Sequence, residues 1–218
     1  MLRLRLTDQE LRPAAARIGG ISLIAALGFL VAAPALAHHP FGGQTPSSAV
    51  EGFLSGLGHP VVGLDHLAFV IAAGLLAAAV GRGLMIPVSF VLASLAGTGL
   101  HLLGLNLPAP EFTISASVLM FGGILALKHR PQTVTITALA ALSGLFHGYA
   151  YGEAVVGAEM TPLVAYLLGF AVVQGAIAAA TCWVANHLTS GKQTLGLRFA
   201  GFALAGAGAA FLSGVVLG

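Results

Sequence analysis

The sequence predicts an all-α protein: a polytopic membrane bundle of six transmembrane helices behind a cleavable signal peptide. Three observations carry that expectation. Hydrophobic residues make up 57% of the 218 positions and charged residues only 7%, with a mean hydropathy of +0.96, whereas a soluble domain carries about 25% charged residues. The apolar residues are gathered into continuous runs, each near the ~20 residues that span a bilayer. The basic residues that punctuate those runs fall in alternate loops. Nine Lys and Arg with seven Asp and Glu cannot cover a water-soluble surface, and so much apolar area excludes disorder. A net charge of +2, scattered along the chain, leaves no footprint for nucleic acid. The single cysteine, Cys182, excludes an intramolecular disulfide and any Cys-rich metal site.

Residues 1–37 read as a secretory signal. Arg3, Arg5, Arg12 and Arg17 form a basic start, residues 18–31 an apolar stretch, and Ala35-Leu36-Ala37 a small-residue cleavage site. The competing reading is an uncleaved first span. Cleavage leaves residues 38–218 as one transmembrane domain, beginning His38-His39-Pro40. Residues 40–48, rich in Gly, Pro and Ser, read as a loop. Ser48 and Glu51 have capping-box spacing. Phe53, Leu54 and Leu57 then lie along the membrane interface on a short helix ended by Gly58.

Six spans are expected at about 60–80, 84–104, 111–127, 134–152, 162–186 and 197–217. A closed barrel is the other way to cross a bilayer, but these runs are continuous and rich in Ala, Leu and Gly rather than alternating. Arg82, then Lys128 and Arg130, then Lys192 and Arg198 mark alternate loops as cytoplasmic by the positive-inside rule. Glu51, Glu111, Glu153 and Glu159 fall at the opposite ends. The chain is thus expected to be multi-pass, with both mature termini outside. On the last span Gly206, Ala210 and Gly214, with Gly201 and Ala205 nearby, form small-residue rows suited to helix packing.

The few polar residues inside this apolar chain carry the chemistry. A charged residue at mid-membrane costs about 2.5–3.5 kcal/mol on insertion scales. His59, Asp65 and His66 sit together at the start of the first span, and His147 and Glu153 at the end of the fourth. His101 and Glu111 flank the loop between the second and third spans. At 1.5 Å per residue, His66 and His147 lie about 9 Å below the outer surface and His101 about 6 Å. Three helices therefore present imidazoles at similar depth on the same side, with carboxylates beside and above them. Pro60 favours a helix start, which leaves His59 flexible at its mouth.

Neutral imidazole with carboxylate suits a divalent metal. The absence of nearby Cys and of a Met cluster disfavours Cu(I). Six-coordinate Ni²⁺ or Co²⁺ and four-coordinate Zn²⁺ all fit, and no permanent cofactor is expected. Asp65 and His66 divide into ligand and supporting partner. His38 and His39, beside the new terminal amine, are candidates for capturing a metal at the outer surface. His129 and His187 fall at cytoplasmic ends and read as solvated. Tyr149 and Tyr151 read as interface-belt aromatics, and Gln174 and Cys182 as packing.

At these residues the sequence resembles the HupE/UreJ family of bacterial nickel/cobalt permeases. The motifs are His59-Pro60-x-x-Gly63-x-Asp65-His66 with Leu67 and Phe69, then Phe146-His147-Gly148-x-Ala150-x-Gly152-Glu153, and more weakly Glu111-x-x-Ile114-x-x-Ser117-Val118. The resemblance covers the whole mature chain. It implies metal binding at His59, Asp65, His66, His147 and Glu153. It also implies uptake of nickel, with cobalt as second cargo, for a metalloenzyme maturation pathway serving hydrogenase or urease. His101 and Glu111 rest on their depth and position alone. The partners are then the divalent ion and the lipid bilayer, and a homo-oligomer is compatible with the composition.

The competing class is an intramembrane zinc-dependent hydrolase, in which the same donors would hold Zn²⁺ with an open water position. Against it stands the lack of a separate pair of groups for acid and base roles. No phosphate-binding loop is present, since Ser190-Gly191-Lys192-Gln193 lacks the first glycine and the hydroxyl.

Overall fold

A computed structural model describes residues 44–81, 84–188 and 194–218. The expected signal peptide, His38, His39, Arg82 and Lys192 lie outside the described residues. Within them the chain is helical throughout: α1 (Ala49–Val62), α2 (Leu64–Val80), α3 (Met85–Leu102), α4 (Pro110–Ala126), α5 (Thr133–Glu153), α6 (Met160–Leu188) and α7 (Thr194–Leu217).

The capping-box expectation at α1 is half met. The Glu51 N–H donates to the Ser48 hydroxyl at 3.2 Å. The Glu51 carboxylate, however, accepts from the N–H and hydroxyl of Ser47, both at 2.8 Å, one residue before the predicted partner. Gly58 does not end this helix and Pro60 does not start the next. Pro60 lies inside α1, and the break falls at Gly63. In the last turn of a helix a proline removes a single backbone bond, so α1 continues past it. Gly63 is then the cap of both helices. Its N–H donates to the His59 carbonyl at 3.0 Å, and its own carbonyl accepts from Leu67 at 2.9 Å. The two helices meet at a bend of 79°.

The expected spans at 84–104, 134–152, 162–186 and 197–217 correspond to α3, α5, α6 and α7, which are long and apolar enough to cross a bilayer. The first expected span is instead the bent pair α1–α2, which counts as a fifth candidate if taken as one span. The third is α4, a shorter apolar helix of 17 residues. Large apolar side chains face outward: Leu92, Leu168, Val172, Trp183 and Phe202 are each more than half exposed, as lipid rather than water demands.

Glycines set the close seams. Gly144 lies against Phe90 and Gly148 against Ser94, so α3 and α5 run parallel. The Thr98 hydroxyl crosses that seam to the Gly148 carbonyl at 2.8 Å. Gly52 against Pro162 and Gly56 against Tyr166 make α1 and α6 parallel. Gly122 against Ala205, with Gly208 against Leu119, makes α4 and α7 antiparallel. On α7 the working row is therefore Gly201, Ala205 and Gly208. Gly206 and Gly214 meet no neighbour within 4 Å. Spacings of three and four draw several small-residue stripes on one helix, and only the packing selects among them. Two arginines finish α4: Arg130 donates to the Leu125 carbonyl at 3.1 Å and Arg198 to the Ala126 carbonyl at 2.8 Å, cations placed at the negative end of the helix.

Helix α2 is central and touches each of the other six. Phe69, Val70, Ala72, Ala73 and Leu76 are fully enclosed. Phe69 stacks on Phe90 at 4.6 Å and tilts against Phe121 at 4.5 Å, forming a floor of rings beneath the N-terminal turn of α2.

Candidate metal centre

The buried face of α5 runs Ala140, Ser143, Gly144, His147, Gly148 and Tyr151, the three-and-four spacing of a helix stripe. It carries His147 into the core at 0% exposure. The first turn of α2 brings His66 to the same point, and the last turn of α1 brings His59, both 2% exposed. The Nδ1 atoms of His66 and His147 are 2.7 Å apart. The His59 ring centroid lies 5.9 Å from that of His66. Tyr151 lies against both, at 4.5 Å from His66 and 5.0 Å from His59. Phe69 and Phe90 close the far side of His147 at 4.7 and 5.2 Å.

Two hydroxyls assign the proton positions. Ser117 Oγ donates its only proton to the Ile114 carbonyl at 2.6 Å. At 3.0 Å from His147 Nε2 it therefore accepts, and His147 carries its proton on Nε2. That leaves a bare lone pair on His147 Nδ1, so His66 Nδ1–H is the donor in the 2.7 Å contact. The Tyr166 hydroxyl likewise donates to the Tyr151 carbonyl at 2.9 Å. It accepts from His59 Nδ1–H at 2.8 Å, which leaves the lone pair of His59 on Nε2. These tautomers follow from the hydrogen-bond network. Such donation of one ring N–H to a fixed acceptor is how ligating imidazoles are oriented in metal sites.

The other predicted residues stand apart. Asp65 is half-buried beside the cluster, but its carboxylate accepts from the His66 backbone N–H at 2.8 Å, capping α2. His101 does not join: it packs on the Tyr149 ring at 4.4 Å and over Gly152. The structure thus brings His66 and His147 together but not His101, and His59 stands in the cluster instead. Nor is His59 flexible at a helix mouth, being enclosed and hydrogen-bonded within α1. Glu111 and Glu153 are exposed at helix ends. Among the described residues, no three His, Cys, Asp or Glu side chains stand close enough to hold an ion together.

Three contributors escaped the sequence reading. The sequence reads Tyr151 as a belt aromatic, yet it is 0% exposed at the centre of the cluster. Its place four residues after His147, on the same helix stripe, was the available signal. Ser117 appeared only as a motif position, and Tyr166 not at all. Tyr149, by contrast, is half-buried near the rim, where its hydroxyl reaches Asn106 at 3.3 Å.

Fold and cluster together define a multi-pass helical membrane protein with a buried imidazole group. The chain belongs to the HupE/UreJ family: that family, described as HupE / UreJ protein, matches residues 25–211. It is similar to Protein HupE of Rhizobium leguminosarum bv. viciae, with 30% identity over 186 residues, covering 84% of this chain and 94% of that protein. No solved structure matches the chain. Members of the family are permeases, so this is a transporter-family protein and not an enzyme, and the hydrolase reading is left without support.

Proposed function

We propose that the protein carries a divalent transition metal, nickel with cobalt as second cargo, inward across the bacterial inner membrane. The His66–His147 pair is the observation that supports this most directly. Two imidazole nitrogens from separate helices, both enclosed, lie 2.7 Å apart. That is slightly inside the ~3.0 Å separating two nitrogens bound at right angles on one ion with bonds of ~2.1 Å. A small opening of the pair admits the ion. His147 already offers Nδ1, and His66 offers its own once the ring proton sits on Nε2. His59 and Asp65 close on the ion as further ligands. Glu111, Glu153 and His101 form the outer approach, with His38 and His39 as the first capture point. Zn²⁺ is the competing cargo.

In this reading the polypeptide makes six crossings, with α1–α2 a broken first crossing and α4 a short third one. Both mature termini lie outside, after removal of residues 1–37. The metal serves a maturation pathway for an enzyme such as hydrogenase or urease, and copies of the chain associate in the membrane. Accumulation of radiolabelled Ni²⁺, Co²⁺ and Zn²⁺ by expressing cells tests the reading. Nickel uptake above the empty-vector level, lost in His66→Ala and His147→Ala at equal abundance, is the expected result. Unchanged uptake in both variants would return the cluster to helix packing.

A further inference from the structure

We infer that Gln174 is a second ligand position for the transported cation, one helical turn beyond the histidine cluster on the inward route. This rests on the transport reading above. Gln174 lies in the middle of α6 and is 0% exposed. Neither its amide oxygen nor its amide nitrogen has a hydrogen-bond partner among the described residues. Ser94, Ser117 and Ser143 each donate to a carbonyl of their own helix and Thr98 to the Gly148 carbonyl, whereas the Tyr151 and Thr137 hydroxyls are, like the Gln174 amide, without a hydrogen-bond partner among the described residues. A buried amide left unpaired keeps the full cost of its desolvation, so its retention in an apolar helix calls for a ligand.

Its place in the fold identifies that ligand. The buried face of α6 runs Tyr166, Phe170, Gln174, Ala178 and Cys182, in steps of four. Tyr166 holds His59, and Phe170 packs on Tyr151, the ring between His59 and His66, at 5.2 Å. Eight residues further along, Ala178 backs onto Gly74 of α2. From His66 to Gly74 is also eight residues, so α2 and α6 run in the same sense past this point. Gln174 therefore faces the middle of that α2 segment, about 6 Å along the axis from the level of Phe170. It stands on the side away from the N-terminal end of α6. An amide carbonyl is a neutral oxygen donor that suits a partly hydrated divalent ion. It binds more weakly than imidazole, which an ion leaving the histidines requires. Gln174 is too enclosed to reach a neighbouring copy of the chain.

The test separates binding from passage. Cells expressing the wild type, Gln174→Leu, Gln174→Asn and His66→Ala are assayed for initial rates of radiolabelled Ni²⁺ uptake. The purified proteins are assayed for Ni²⁺ affinity and for melting temperature in detergent. Gln174→Leu, of similar shape, is expected to slow uptake at least tenfold while keeping Ni²⁺ affinity within threefold and melting no lower than wild type. Gln174→Asn, which keeps the amide, is expected to recover part of the rate, whereas His66→Ala loses affinity and uptake together. A wild-type rate in Gln174→Leu at equal abundance overturns this inference and leaves the transport reading intact. A Gln174→Leu protein that loses affinity and melts early makes the residue structural and also overturns it. A wild type that accumulates no metal overturns both.

Discussion

His66 and His147 stand 81 positions apart in the chain, and their Nδ1 atoms are 2.7 Å apart in the fold. The contact is asymmetric. Ser117 holds the proton of His147 on the remote nitrogen, so the nitrogen facing His66 can only accept. The pair is therefore set up with one lone pair already aimed inward.

If these two imidazoles act on one ion, each is indispensable. His66→Ala and His147→Ala are each expected to lower Ni²⁺ uptake more than tenfold with membrane levels near normal. The double variant is expected to be no worse than either single, because groups that act as a unit are strongly non-additive. His129→Ala, exposed in the loop between α4 and α5, is the silent control. Additive losses in the double variant would show two independent sites.

Ser117 and Tyr166 touch no cargo in this arrangement, yet each fixes a ring. Ser117→Ala and Tyr166→Phe are expected to weaken Ni²⁺ binding about 10–100-fold, the usual cost of removing a partner behind a ligand. Ser117→Thr, which keeps the hydroxyl, is expected to retain near-normal affinity. Nitrogen-15 chemical shifts of His147 would report the tautomer directly. A wild-type His147 protonated on Nδ1 would defeat the assignment.

The α3–α5 seam should be intolerant of added volume. A methyl group on Gly148 runs into the backbone at Ser94, and overpacking of this kind costs about 1–3 kcal/mol. Gly148→Ala is expected to lower the melting temperature in detergent by several degrees, whereas Gly206→Ala, which meets no neighbour within 4 Å, leaves it unchanged. Equal melting of the two variants would contradict the seam.

Hydropathy made the helices legible, because each apolar run is long and its ends are marked by charge. It did not reveal the elbow. Pro60 near the start of a run reads as a beginning, and only packing shows that α1 survives it and breaks at Gly63. The same gap explains the exchange of His101 for His59. Depth along a straight axis can be counted from residue numbers, but a 79° bend moves a side chain sideways, and no count records that. Tyr151 was lost because an aromatic near a span end serves equally well at the lipid interface or in the core. The meeting of His66 with His147 was within reach, since those two residues sit at span ends that the alternation of loops places on one side.

The orientation rests on charge alone and has its own test. In a Cys182→Ser background, Asn106→Cys is expected to react with an impermeant thiol reagent added to intact cells, and Lys128→Cys to be protected. Both positions are exposed, in loops on either side of α4. Reaction at 128 with protection at 106 would invert the topology.

His59 and His66 sit on the two arms of the elbow. In an unbroken helix, positions seven apart are separated by about 10.5 Å along the axis, too far for one ion to reach both; across the Gly63 bend their rings come within 5.9 Å. A side chain at Gly63 would strike the His66 ring, so the joint can close this tightly only on glycine. An ion gripped by both rings would fix the angle between the arms, and any straightening would pull its two ligands apart. If the proposed site holds the metal, occupancy and posture would become one variable: the elbow would work as a caliper whose jaws are imidazoles, and letting go of the metal would be the same event as opening the hinge.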